Sequence, residues 1–154
     1  TGNRIEDAND GIRLAASGRE DPNPPTWRDR APDNRIAHAV ISGNTITLNP
    51  LSSATPAHGI CLGHVARANV GQNSVTTTPG SYHVESVAPH FGICQIGWRG
   101  DLLSIAENSV SNLENGIAVI PGLSDGIRGI WRLRDNAVFR TRRAYLTAPG
   151  VEVI

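Results

Sequence analysis

Two cysteines and five histidines are the residues of this chain best suited to carry chemistry. Cys61 and Cys94 share one stretch with His58, His64, His83 and His90. A thiolate can attack carbon or hold a soft metal, and an imidazole can accept a proton or act as a further ligand. As zinc ligands, these residues lack the paired short spacings of a structural site. Cys61 and His64 make one C-x2-H pair, and no second pair of that kind faces it. As a nucleophile, either cysteine needs a histidine base and a third, orienting group, and no helix N-terminus follows either one to lower its pKa. The plainer expectation is two small buried residues, each in a Gly-Ile-Cys run, with a disulfide possible only if neighbouring strands bring them together. No metal and no cofactor is expected. Thr1 could act as an N-terminal nucleophile through its own amine. It is followed by Gly2-Asn3-Arg4 rather than by a core strand, so a processing or fragment boundary is the simpler reading.

All fourteen basic side chains are arginine. Without lysine there is no Schiff-base amine and no P-loop lysine, whereas arginine's planar fork suits fixed ion pairs and docking. A genome that exchanges Lys for Arg explains the same bias without function. Arg128, Arg132, Arg134, Arg140, Arg142 and Arg143 crowd into one segment with Asp135 as the sole acid among them. On a strand, Arg128, Ile130, Arg132 and Arg134 share one face, opposite Ile127, Trp131 and Leu133. A return strand after Asp135-Asn136 would place Arg140 and Arg142 opposite Phe139 and Tyr145, with Arg143 on the apolar side. That hairpin reads as an arginine ribbon able to pair with carboxylates of a partner protein or of the chain's own acidic segment. Arg28, Arg30 and Trp27 extend the partner-binding set. Nucleic acid ranks lower, because net charge is zero and the charged face lacks stacking aromatics. A solvated strand face with no partner is the alternative.

Weaker signals absorb little. Arg99-Gly100-Asp101 spells a cell-attachment tripeptide in what reads as an ordinary turn. Gly116, Gly122, Gly126 and Gly129 are too irregular for a phosphate loop, and Glu85, Asp101, Glu107 and Glu114 are too isolated for a glycosidase pair.

The elements that must position these groups are mostly strands. Residues 1–35 form a mixed-charge segment with a short helix expected over Glu6–Ala16, followed by an extended path through Pro22, Pro24 and Pro25. Such a segment buries little of itself and reads as an arm. From residue 36 to 154 strands follow one another: Ala37–Ile41 and Thr45–Leu48 around a Ser42-Gly43-Asn44 hairpin, Gly59–Ala68, Ser81–Val87, Phe91–Arg99, Leu102–Ala106, Gly116–Ile120, Gly126–Arg134, Ala137–Leu146 and Val151–Ile154. Asn69–Gly80 reads as a polar connection, and Glu107–Asn115 as a loop or single helical turn. The expectation is one all-β domain, an antiparallel β-sandwich or jelly-roll-like barrel, carrying an extended N-terminal arm. Pro56-Ala57-His58-Gly59-Ile60-Cys61 is echoed by Pro89-His90-Phe91-Gly92-Ile93-Cys94 at an offset of 33. Gly126–Trp131 repeats part of Gly92–Trp98, so a threefold β fold is also consistent. Sixteen glycines and ten prolines fit a turn-rich β protein, and no apolar run approaches the roughly 20 residues of a membrane helix.

The arm (Thr1–Arg35) and the strand patterning of Ala37–Leu48 and Ala118–Leu146 resemble the texture of capsid decoration, or cement, proteins of tailed bacteriophages. The resemblance implies a non-enzymatic virion protein on the capsid surface, assembled as a homodimer or homotrimer on major capsid subunits. It carries over no functional residue, and membrane partners are not expected. Two other classes stand beside it. One is a carbohydrate-binding module or lectin of β-sandwich or β-trefoil type, stacking sugar on Trp27, Trp98 or Trp131. The other is a Cys/His hydrolase using Cys61 or Cys94.

Overall fold

The computed structural model describes residues 1–14, 36–49, 56–63, 65–78, 89–96, 102–120 and 130–154. These residues form fifteen strands and no helix. In chain order they are β1 (Arg4–Ala8), β2 (Asp10–Leu14), β3 (Ala39–Ser42), β4 (Thr45–Leu48), β5 (Ala57–Leu62), β6 (Arg67–Gly71), β7 (Ser74–Thr77), β8 (His90–Ile96), β9 (Leu102–Ala106), β10 (Ser109–Ser111), β11 (Asn115–Ile120), β12 (Ile130–Arg134), β13 (Ala137–Phe139), β14 (Arg143–Thr147) and β15 (Glu152–Val153).

Every third strand joins the same sheet. The first sheet runs β1-β4-β7-β10-β13, the second β14-β11-β8-β5-β2 and the third β15-β12-β9-β6-β3, with all pairs parallel. The chain therefore winds through five three-sided coils, a parallel β-solenoid. The expected antiparallel sandwich or barrel is overturned by this topology. A strand pairs with its equivalent one coil away, and the other two sides of the coil serve as the long crossover that parallel pairing requires.

The turn signals that read as hairpins are corners. Gly2, Gly43, Gln72, Glu107 and Asp135 each take a positive φ, between 53° and 68°, and an asparagine follows each one. A single left-handed residue bends the chain from the third sheet into the first without reversing it. The asparagines stack. Asn44 donates from its backbone N and from Nδ2 to Asn73 Oδ1 at 3.0 and 2.8 Å. Asn73 treats Asn108 in the same way at 3.0 and 2.9 Å, and Asn108 treats Asn136 at 3.1 and 2.9 Å. Asn3 caps the row with two 3.0 Å bonds to Asn44 Oδ1. The row satisfies corner amides that no sheet reaches, which buried backbone demands.

Like stacks on like in the core. Ile46, Val75, Val110 and Val138 line up in the first sheet, Ile12, Ile60, Ile93 and Ile117 in the second, and Ile41, Val70, Ile105 and Leu133 in the third. Together with Ala39, Ala68, Leu103 and Trp131 they make one apolar interior. The polar stretches Asn69–Gly80 and Glu107–Asn115 are corrected here: they contain β7 and β10, whose Val75 and Val110 are core residues hidden among Ser, Thr and Asn. Of Glu6–Ala16, expected as helix, the described residues 6–14 are strand on either side of a bend at Asn9, and β1 and β2 pair with β4 and β5. The rest of the expected arm, residues 15–35, lies outside the described residues, as does Ser81–Val87.

Candidate thiol site and the arginine positions

A column of glycines shapes the second sheet. A Cβ on Gly59 would lie 2.3 Å from Val75 Cγ1 and 2.4 Å from the Gly92 carbonyl oxygen; on Gly92 it would lie 2.3 Å from Val110 Cγ1 and 2.7 Å from the Gly116 oxygen. Gly11 and Gly116 are equally crowded. Each glycine thus faces the interior, and so does the isoleucine after it. Two successive inward residues break the ordinary alternation, so residues one before and two after the glycine emerge on the same outer face. Asp10 and Arg13, His58 and Cys61, Phe91 and Cys94 are such pairs, stacked coil on coil. Asp10 is in register with His58 and Arg13 with Cys61, then His58 with Phe91 and Cys61 with Cys94.

The result is a cluster on the outer side of the second sheet. Asp10 Oδ1 accepts from the His58 backbone N at 3.2 Å and lies 2.8 Å from His58 Nδ1. The His58 ring stacks on Phe91, with centroids 5.9 Å apart and planes inclined by 4°. A His58 ring nitrogen and the sulfurs of Cys61 and Cys94 all lie within 4.8 Å of one another. Cys94 is buried with Phe91 and Ala118 in a small apolar layer, against which Cys61, Ile120 and Leu146 pack. Both thiols are free. The Cys94 thiol hydrogen stabilises a thiolate on Cys61 and draws its pKa down to about 7; burial opposes this, and His58 and Arg13 add to it. Cys94 moves the opposite way, held up first by the same shared hydrogen and then by burial. The pair loses its first proton from Cys61.

The chain matches no protein-family model, and no curated protein or solved structure is significantly similar to it. Geometry therefore carries the functional argument. Asp10, His58 and Cys61 have the composition of an orienter, a base and a nucleophile. Acyl transfer also needs donors aimed at a developing oxyanion. Around Cys61 and Cys94 the backbone lies within the parallel ladders of β2, β5 and β8, which use its amides. What the described atoms of the set offer directly is a shared thiol proton and a group of soft-metal donors.

Sequence reading grouped His58, Cys61 and Cys94 only as members of one stretch of chain, expected the two cysteines as small buried strand residues, and gave Asp10 no role. The offset-33 echo was the signal that could have found the Cys61–Cys94 stack, since it is one coil of the second sheet. Of the second echo, Ile96 and Ile130 are the equivalent residues described on both sides, and they lie in the second and third sheets. His64, His83 and the Arg99-Gly100-Asp101 tripeptide lie outside the described residues.

The arginine hairpin is also corrected. β12 and β13 belong to different sheets, so no ribbon forms. Arg132 and Arg134 stand on the outer face of the third sheet, paired with Glu152 at 2.9 Å and Asp135 at 3.3 Å. Arg140 takes a corner conformation with φ 53°. Arg142 approaches Glu114 at 3.6 Å, and Arg143 opens β14 in the second sheet. These partners lie in the C-terminal coils, not in the N-terminal segment. Arg128, Arg28, Arg30 and Trp27 lie outside the described residues, as does Trp98. Trp131 is only 2% exposed, so it cannot present a ring to a sugar.

Proposed function

We propose that this chain is a rigid docking scaffold that works by binding a protein partner through the outer face of its third sheet. The observation that carries this reading is the composition of that face. Val40, Leu102 and Ile130 are 56, 38 and 55% exposed there, with Leu102 directly beside Ile130 in register. Arg67 neighbours Leu102 on the next strand, and Arg132 and Arg134 continue the face. A shallow groove of about 540 Å³ lined by His38, Arg67, Asn69 and Leu102 adjoins them. Exposed aliphatics interleaved with arginine are the residue mixture of interface cores, where Arg is enriched and Lys depleted. A stacked ladder holds this surface in one shape, so docking costs little backbone ordering. The textural resemblance names a phage capsid shell as the partner and the virion as the setting; the geometry supports the coarser statement of a protein-binding scaffold.

The test is co-sedimentation with assembled particles from the source, comparing Ile130→Glu with Phe139→Glu, which alters an exposed residue of the first sheet. Loss of binding in the first variant alone supports docking by the third sheet. Wild-type protein that stays in the supernatant, or equal losses in both variants, refutes it.

A further inference from the structure

We propose that Cys61, Cys94 and His58 form a binding site for a thiophilic d10 metal ion of the Zn²⁺ class, with Asp10 holding the imidazole. Zinc takes Cys sulfur at about 2.3 Å and His nitrogen at about 2.0–2.1 Å, so tetrahedral ligand atoms sit about 3.5–3.8 Å apart. The three donor atoms already lie within 4.8 Å of one another. Closure therefore needs about 1 Å of side-chain movement, within the reach of rotamer adjustment on a fixed backbone.

Four further features fit an ion. Asp10 Oδ1 stands 2.8 Å from His58 Nδ1, the carboxylate–imidazole arrangement that orients a ligating histidine. Phe91 stacked on the ring, with Ala118 and Leu146 in the same apolar layer, makes one described side of the site apolar. The charges close: two thiolates neutralise a divalent ion, and Arg13, in register with Cys61, offsets Asp10. Two adjacent thiols are soft ligands that favour Zn²⁺ or Cu⁺ over Mg²⁺ or Ca²⁺. Binding expels one proton from each thiol to solvent and forms two metal–sulfur bonds and one metal–nitrogen bond. Three protein ligands leave a fourth position for water or another donor.

The experiment uses untagged, reduced protein titrated with Co²⁺ as a spectroscopic probe and then with Zn²⁺ in competition. A thiolate-to-cobalt charge-transfer band that saturates at one ion per chain and is bleached by Zn²⁺ is expected. Cys61→Ser and Cys94→Ala each abolish or strongly reduce it, and Asp10→Asn weakens affinity by about 10–100-fold while the band remains. Cys61 and Asp10 are less buried than Cys94, so their variants test the site even if Cys94→Ala fails to fold, which circular dichroism reports. Absence of the band at stoichiometric Co²⁺, or its survival in Cys61→Ser, overturns the proposal. So does alkylation of both thiols at the same rate with and without Zn²⁺, which would mark them as a plain dithiol.

Discussion

Replacing Asn73 with alanine tests the idea that the asparagine row, and not only the apolar core, holds the coils in register. Asn73 Oδ1 accepts two bonds from Asn44, and the two hydrogens of its Nδ2 are shared among Asn108 Oδ1 at 2.9 Å and the Ile41 and Gly71 carbonyls at 3.0 Å. Asn44, Asn73 and Asn108 are each 1% exposed, so water cannot replace what is lost. Truncation strands two donors on Asn44. At about 1–3 kcal/mol for each buried group left unpaired, the expected loss is about 2–6 kcal/mol, a large share of the roughly 5–15 kcal/mol that stabilises a domain. Asn3→Ala is the control: Asn3 donates at the end of the row, and Asn44 Oδ1 keeps its bond from the Asn3 backbone N, so about 1 kcal/mol or less is expected. Urea unfolding followed by circular dichroism and tryptophan fluorescence reads both as shifts in midpoint at constant slope. An Asn73→Ala loss under about 1 kcal/mol, or one no larger than that of Asn3→Ala, would refute the reasoning.

Two further outcomes follow from the second sheet. Gly92→Ala forces a methyl to within 2.3 Å of Val110 and 2.7 Å of the Gly116 carbonyl. The strand must shift, and a destabilisation of at least about 1–3 kcal/mol is expected in the same urea assay; wild-type stability would show that the column tolerates a side chain. In metal-free protein, alkylation of Cys61 should rise with pH through a midpoint near its pKa of about 7, because the reactive species is the thiolate and the Cys94 hydrogen favours it there. Cys94→Ala removes that hydrogen, so the midpoint should move up toward an ordinary thiol; a wild-type midpoint already in the ordinary range would remove the coupling.

The amino-acid sequence alone was enough to indicate an all-β chain with a lean, β-branched core and turns marked by Gly, Asn and Asp. Alternation at Ala39–Ser42 or Ile130–Arg134 marks which residues face inward, since period two follows from backbone geometry and needs no partner. It does not name the partner. Parallel and antiparallel strands share that alternation, and Ser42-Gly43-Asn44 supplies a left-handed residue that suits a hairpin as well as a corner. Pairing was decided by the tertiary structure, because the bonds that settle it, such as Asn44 to Asn73 or Cys61 beside Cys94, join residues roughly one coil apart. The candidate site shows the same division. His58 and Cys61 come to one face because Gly59 has no room for a side chain beside Val75, a steric fact created only when the coils stack. Asp10 reaches His58 across 48 residues of sequence, a distance over which no local spacing rule operates.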